Sequence, residues 1–245
     1  MYRCSFGKEP FKLRYLGLMC YLSHLYSKVI FVETLFAAFP ALPDFRTNQQ
    51  LMLFHFRTQF PQLDRFWNKY LEFQKRLEIP AKTILLEEGK VSQHYIFIEK
   101  GCVRLFFHTD GGDKTVQFFF ENEGLTSFES FINNAPSLFT IETIEPSVVY
   151  LLPKPYVIQL MDELSREPDF LQIILHTSGR RQTHYMNEFV SFIRDTPEER
   201  YQRLLNERPH IIQRVPQHYI ASYLGVSSVH LSRIKSKLAK GNLHF

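Results

Sequence analysis

The side chains best placed for chemistry at a fixed spacing lie between Gln217 and Lys237, and the chemistry they suit is non-covalent. The run from Val215 through Pro216-Gln217-His218-Tyr219-Ile220-Ala221-Ser222-Tyr223-Leu224-Gly225-Val226-Ser227 to Lys235 reads as two short helices crossing steeply about a three- or four-residue turn. Ala221 is small where the second helix must come close. Gly225 stands where the chain must take a positive φ, Val226 plugs the angle, and Ser227 can cap the second helix. Leu224, Leu231, Ile234 and Leu238 then form a shared core. That leaves Ser228, Val229, His230, Ser232, Arg233, Lys235, Ser236 and Lys237 outward, with Gln217 opening the first helix beside them. Short hydroxyls suit base edges and cations suit phosphates, so the expected ligand of this face is double-stranded DNA. The plainer alternative is an α-hairpin with a basic surface.

Charge placement supports the first reading. The chain of 245 residues has net charge +4, yet beyond Glu207 there is no acid and there are six cations, so residues 1–207 are mildly acidic. A basic terminal module on an acidic body is the footprint of a nucleic-acid binder. Covalent chemistry finds little support. No GxSxG, HExxH, Walker loop or dinucleotide glycine fingerprint occurs. Glu87-Glu88 and Glu198-Glu199 are adjacent and point apart, as solvated or helix-dipole residues do. His184 and Glu188 are four apart on a helix but lack a third metal ligand. A small cupin-like enzyme would need a His-x-His cluster, which is absent. The expectation is therefore no enzyme, no cofactor and no metal. Cys4, Cys20 and Cys102 are too scattered for a disulfide framework or an iron–sulfur cluster, which fits a cytoplasmic location.

The elements that must position this face follow from periodicity. Phe54 to Lys75 reads as helical, broken by Pro61, with a stripe of Leu63, Phe66, Trp67, Tyr70, Leu71 and Phe73, and Pro80 ends any helix. Short strands are then expected at Thr83–Leu86, Tyr95–Glu99, Val103–His108, Thr115–Phe120, Phe139–Ile144 and Val148–Leu152. Glycine turns separate several of them, as in a sandwich or small barrel. Strand alternation should send about half of the phenylalanines at 106, 107, 118, 119, 120, 128 and 131 outward, leaving a largely filled interior. After Pro168 a long helix places Leu171, Ile174, Leu175, Ser178, Gln182, Tyr185, Phe189 and Phe192 on one face, suited to a two-stranded homodimer seam. Asp195-Thr196-Pro197-Glu198-Glu199 is a strong helix start.

From about residue 60 onward the chain resembles the Crp/Fnr regulators, and Arg214 to Ala239 (RVPQHYIASYLGVS…LSRIKSKLA) is particularly similar to the branch common in Bacteroidetes. The resemblance implies an α+β chain. It comprises an N-terminal antiparallel β-roll (double-stranded β-helix) at 52–168, a long dimerisation helix at 169–194 and a C-terminal winged helix-turn-helix at 195–245. The tail is too short for a full wing. Effector-binding relatives carry Gly-Glu and then Arg-Ser or Arg-Thr in a phosphate cassette; the equivalent places here are Thr126-Ser127 and Ser137-Leu138. Without the arginine a buried phosphate lacks a charge partner, so cyclic AMP or GMP binding is not expected. An unidentified small apolar ligand in the roll is the alternative mode of control. The resemblance also assigns Arg233 to guanine or phosphate, whereas Val229 replaces the usual glutamate of the reading helix. RNA polymerase is a further candidate partner; a membrane is not expected. Residues 1–51 do not match the rest. They are read as a doubtful extension upstream of Met52, with a membrane anchor as the alternative.

Overall fold

The computed structural model describes residues 64–241; the extension at 1–51 and the tail beyond 241 lie outside them. A helix, α1 (Asp64–Tyr70), and a 3-10 turn (Leu71–Phe73) lead into eight strands: β1 (Lys75–Ile79), β2 (Ile84–Leu86), β3 (His94–Lys100), β4 (Val103–Phe107), β5 (Lys114–Phe119), β6 (Gly124–Leu125), β7 (Thr140–Thr143) and β8 (Ser147–Pro153). They form two four-stranded antiparallel sheets, ordered β1-β8-β3-β6 and β2-β7-β4-β5. The helix expected to run to Lys75 stops earlier, because Lys75 begins β1. That strand alternates Leu77 and Ile79 inward with charged neighbours, and pairs with β8.

Alternation decides what each strand buries. In β3, Ile96 and Ile98 point between the sheets to meet Val103, Leu105, Phe119, Leu125, Ile141 and Val149. Tyr95 and Phe97 point the other way, beneath α3 (Lys154–Leu164), where they pack with Phe128, Phe131, Val157, Leu160 and Leu164. Phe128 and Phe131 come from α2 (Phe128–Asn133), a single short turn of helix between β6 and β7. A strand buried on both faces reads as a continuous apolar run, as Tyr95–Ile98 does.

Sharp turns hold the sheets in register. Gly101 has φ +104°, and a Cβ there would collide with the Ser147 side chain and come within 2.8 Å of its Cα. Only glycine closes the β3–β4 turn against that backbone.

The helix α4 (Pro168–Arg194) spans 27 residues, about 40 Å at 1.5 Å per residue. The Tyr185 hydroxyl donates to Gln117 Oε1 at 2.9 Å, so this edge faces β5. Leu171, Leu175, Met186, Val190 and Ile193 stay exposed, with Leu175 at 74% and Ile193 at 71%. The outward stripe is therefore rotated from the expected one, with Tyr185 turned toward the roll. Four further helices complete the described chain: α5 (Pro197–Glu207), α6 (Pro209–Arg214), α7 (Gln217–Tyr223) and α8 (Ser228–Gly241). Among the described residues no helix is long and apolar enough to cross a membrane.

Candidate nucleic-acid interface

The local sequence builds the four C-terminal helices from their caps. Thr196 begins α5 with a reciprocal capping box: Glu199 N–H donates to Thr196 Oγ1 at 3.3 Å, and Thr196 N–H donates to Glu199 Oε2 at 2.7 Å. Between α7 and α8 the turn runs as the sequence predicts. Gly225 has φ +70°, Gly225 N–H reaches Ser222 O at 3.1 Å, and Val226 N–H reaches Ala221 O at 3.0 Å. Ser227 Oγ accepts from His230 N–H at 3.1 Å, the expected cap of α8. Tyr201, Leu204, Ile211, Ile220, Ala221, Leu224, Leu231 and Ile234 are buried together, with Val226 and Leu238 packed against them.

The outer face of α8 is open. Ser228, Val229, His230, Ser232, Arg233, Lys235, Ser236 and Lys237 are all exposed, Val229 at 63%. Ser228, Val229, Ser232 and Arg233 line an open groove with Gln217 and His218 of α7. His218 sits below its ordinary pKa because of partial burial and the nearby Arg104 and Lys82 cations, so it is neutral near pH 7 and can donate from one ring nitrogen or accept at the other. One expected cation is not free. Lys237 Nζ donates to Glu198 Oε2 at 2.7 Å, so the acid-free sequence beyond Glu207 still meets a carboxylate supplied by α5. Sequence reading missed this because the two residues are 39 positions apart.

The second predicted cluster is brought together in part. Thr126, Ser127 and Ser137 are buried. Ser137 Oγ lies 2.7 Å from Ser127 Oγ and 2.7 Å from Phe139 O, and Thr126 Oγ1 donates to His94 O at 3.0 Å. Ser92 joins them, its Oγ 2.9 Å from Thr126 Oγ1 and its N–H donating to Ser130 Oγ at 2.9 Å. The hydrogen bonds of this cassette thus run to hydroxyls and backbone groups. Leu138 does not belong to it: at 49% exposure it turns outward from the loop.

The phenylalanines alternate as expected, but the outward rings are also buried. Phe119 faces the space between the sheets, whereas Phe118 and Phe120 face out and join the core of α5–α8 together with Cys102 and Ile144. Phe118 meets Tyr223 with ring centroids 5.5 Å apart, and Phe120 meets His210 edge-on at 4.7 Å. The Tyr223 hydroxyl donates to Glu188 Oε2 of α4 at 3.1 Å, and burial and that carboxylate push its pKa up to about 12. Burial also raises the Cys102 thiol, which keeps it protonated. Among the described residues no group of three or more His, Cys, Asp or Glu could hold a metal ion.

Residues 76–163 match the family model of the cyclic nucleotide-binding domain. Among solved structures, the chain is similar to the c-di-GMP-responsive global regulator CLP of Xanthomonas campestris, with 18% identity and a TM-score of 0.59 over 74% of this chain and 93% of CLP. It is similar also to a Crp/Fnr-family regulator structure from Eubacterium rectale, at 14% identity and TM-score 0.57 over 72% of this chain and 83% of that one. FixK2 of Bradyrhizobium japonicum gives 14% identity and TM-score 0.55 over 69% and 86%. The fold is that of the Crp/Fnr structures. No curated protein matches in sequence. The family-model match stops in the last turn of α3, and the likeness to CLP covers 74% of this chain.

Proposed function

We propose that the chain is a DNA-binding transcriptional regulator of Crp/Fnr type that acts as a homodimer and does not respond to cyclic AMP or GMP. The observation that carries this reading is the exposed face of α8, where Ser228, Val229, Ser232 and Arg233 border a groove while Leu231 and Ile234 anchor the helix behind them. At 14 residues α8 is about 21 Å long, and an α-helix of this size fits the major groove. Arg233 and Lys235 supply cations for phosphates or guanine, and Val229 offers an apolar contact for a thymine methyl.

The homodimer reading is supported by the exposed stripe Leu171, Leu175, Met186, Val190 and Ile193 on α4. A second copy of the same helix is the occupant that such a self-complementary seam accepts, and paired readers match two DNA half-sites. The cyclic nucleotide reading is disfavoured by chemistry: the cassette of Thr126, Ser127 and Ser137 is buried and satisfied by its own hydroxyls, with no cation among its bonded partners. A buried phosphate there would go unpaired. Control by a small apolar ligand is disfavoured too, because Phe119, Ile141 and Val149 fill the space between the sheets.

Fluorescence anisotropy of the full chain with random-sequence duplex DNA tests the first part. Affinity should fall steeply and linearly in log–log form as salt rises, from release of counterions at each phosphate contact. Salt-independent binding, or none, would refute the regulator reading. Calorimetry with cyclic AMP should show no heat, and a saturable micromolar response would overturn the cassette argument.

A further inference from the structure

The β-roll meets the C-terminal helices at α6, through Arg214 and His210, and at α7, where the contact is built around a cation. Arg104 of β4 is 3% exposed. Its Nε donates to Glu142 Oε2 at 2.6 Å and its Nη2 to Asp113 Oδ2 at 2.7 Å. The guanidinium carbon lies 3.6 Å from the Phe106 ring centroid and 4.1 Å from that of Tyr219, and its buried Nη1 has no hydrogen-bond partner. Phe106 belongs to the roll and Tyr219 to α7, so the cation is gripped by both units. Three residues on, Ser222 Oγ donates to Asp113 O at 2.7 Å and accepts from Thr115 N–H at 2.9 Å. Residues 219 and 222 share a helix face, so α7 is pinned twice to the same β4–β5 hairpin. Its other side, through Ile220, Ala221 and Leu224, carries α8.

Such a cation is not what a stability-optimised interface would use. A buried ion pair is often matched or bettered by apolar residues of the same volume, and its best-attested benefit is fixing register. A guanidinium tied to two carboxylates through Nε and Nη2 and in contact with the Tyr219 ring restrains that ring directionally, as apolar contact would not.

We propose that Arg104 is a positioning residue for DNA reading: by holding Tyr219 and, through Asp113, Ser222, it sets the angle at which α8 is presented relative to the long helix α4. The inference rests on the regulator reading above. In a paired reader that angle determines the separation of the two half-sites recognised.

The experiment selects bound molecules from a pool of random-sequence duplexes and scores the separation between recovered half-sites. It compares the full-length protein with two variants: Arg104→Met combined with Asp113→Asn and Glu142→Gln, which leaves no unpaired charge, and Ser222→Ala, which keeps the sandwich and removes two hydrogen bonds. The unaltered protein should recover one separation and discriminate against a shifted one by about tenfold, the scale of one mismatched base pair. The variants should recover several separations, with discrimination reduced to about threefold or less, while affinity for a duplex carrying one half-site stays within about twofold. Tyr219→Phe, which keeps the ring, should behave as the unaltered protein. An unchanged separation preference in Ser222→Ala and in the triple variant would overturn the proposal, as would equal loss on single and paired half-sites. Where the triple variant fails to fold, Arg104→Lys, which keeps the charge and loses the guanidinium fork, is scored in its place, and an unchanged separation preference overturns the proposal. Failure of the unaltered protein to select any duplex would instead sink the regulator reading.

Discussion

At the scale of single residues, Gly225 shapes the α7–α8 turn and Arg233 is the cation to which the proposed function gives recognition. Gly225 turns the chain with φ +70°, and a Cβ there would lie 3.3 Å from Phe192 Cε1. Gly225→Ala should therefore cost about 1–3 kcal/mol, from left-handed backbone strain and from crowding of that ring. A lowered urea midpoint would register it, and an unchanged midpoint would mean the turn relaxes freely. Arg233→Ala leaves the fold intact, because the side chain is exposed. It should cost about 1–3 kcal/mol of binding at one base position if the guanidinium reads guanine, and equally on every sequence if it holds a phosphate. Competition binding over single-base variants of a selected duplex distinguishes the two. Both residues were legible in the sequence, since a glycine that must turn and a cation facing solvent are local facts. The partner of Lys237 was not, because Glu198 reaches it from another helix.

At the scale of elements, the long helix α4 carries the clearest expectation. Val190→Glu or Leu175→Glu would place a carboxylate in the apolar stripe, at residues 40% and 74% exposed in the single chain. Neither should disturb the chain's own core, but association of the proposed homodimer should weaken by about tenfold or more, the cost of desolvating an unpaired charge. Analytical ultracentrifugation would show a shift toward monomer, and an unaltered sedimentation profile would remove this face from the seam. Periodicity gave α4 its existence but not its rotation, because Tyr185 reaches Gln117 across the surface and turns the helix. The same limit explains the strands. Those with continuous apolar runs, such as β3 and β8, were recognisable, whereas β1 shows only Leu77 and Ile79 between charges, and β6 is two residues long. At α3 no helix is assigned from the sequence, although Val157, Leu160 and Leu164 keep helical spacing and Pro155 sits in its first turn, where proline is tolerated.

For the whole molecule, the junction between roll and C-terminal helices should respond to acid. His210 lies against Phe120, and partial burial together with Arg208 and Arg214 holds it below the ordinary 6.5. His218 is lowered as well, by burial, Arg104 and Lys82. Burial pushes Glu121 up, but the bidentate Arg214 pair at 2.7 Å and the Gly101 amide outweigh it and hold the carboxyl below 4.5. In each case the unfolded chain binds more protons than the folded one across the interval between the two pKa values, so stability rises with pH there. The histidine contribution is present above about pH 6.5 and is lost on descending through the lowered folded values; the Glu121 contribution follows below about pH 4.5. Urea midpoints should fall between about pH 8 and pH 5, and His210→Gln with His218→Gln should flatten that slope. A slope unchanged in the double variant would assign the effect elsewhere.

The outward rings of Phe118 and Phe120 have a consequence for how such a protein can diversify. A chimera that transplanted α5–α8 onto an unrelated roll, or this roll beneath another reader, would strip both rings of their cover and leave the guanidinium of Arg104 without Tyr219. Exchange of the roll and the C-terminal helices as separable parts therefore demands matched changes on β4 and β5.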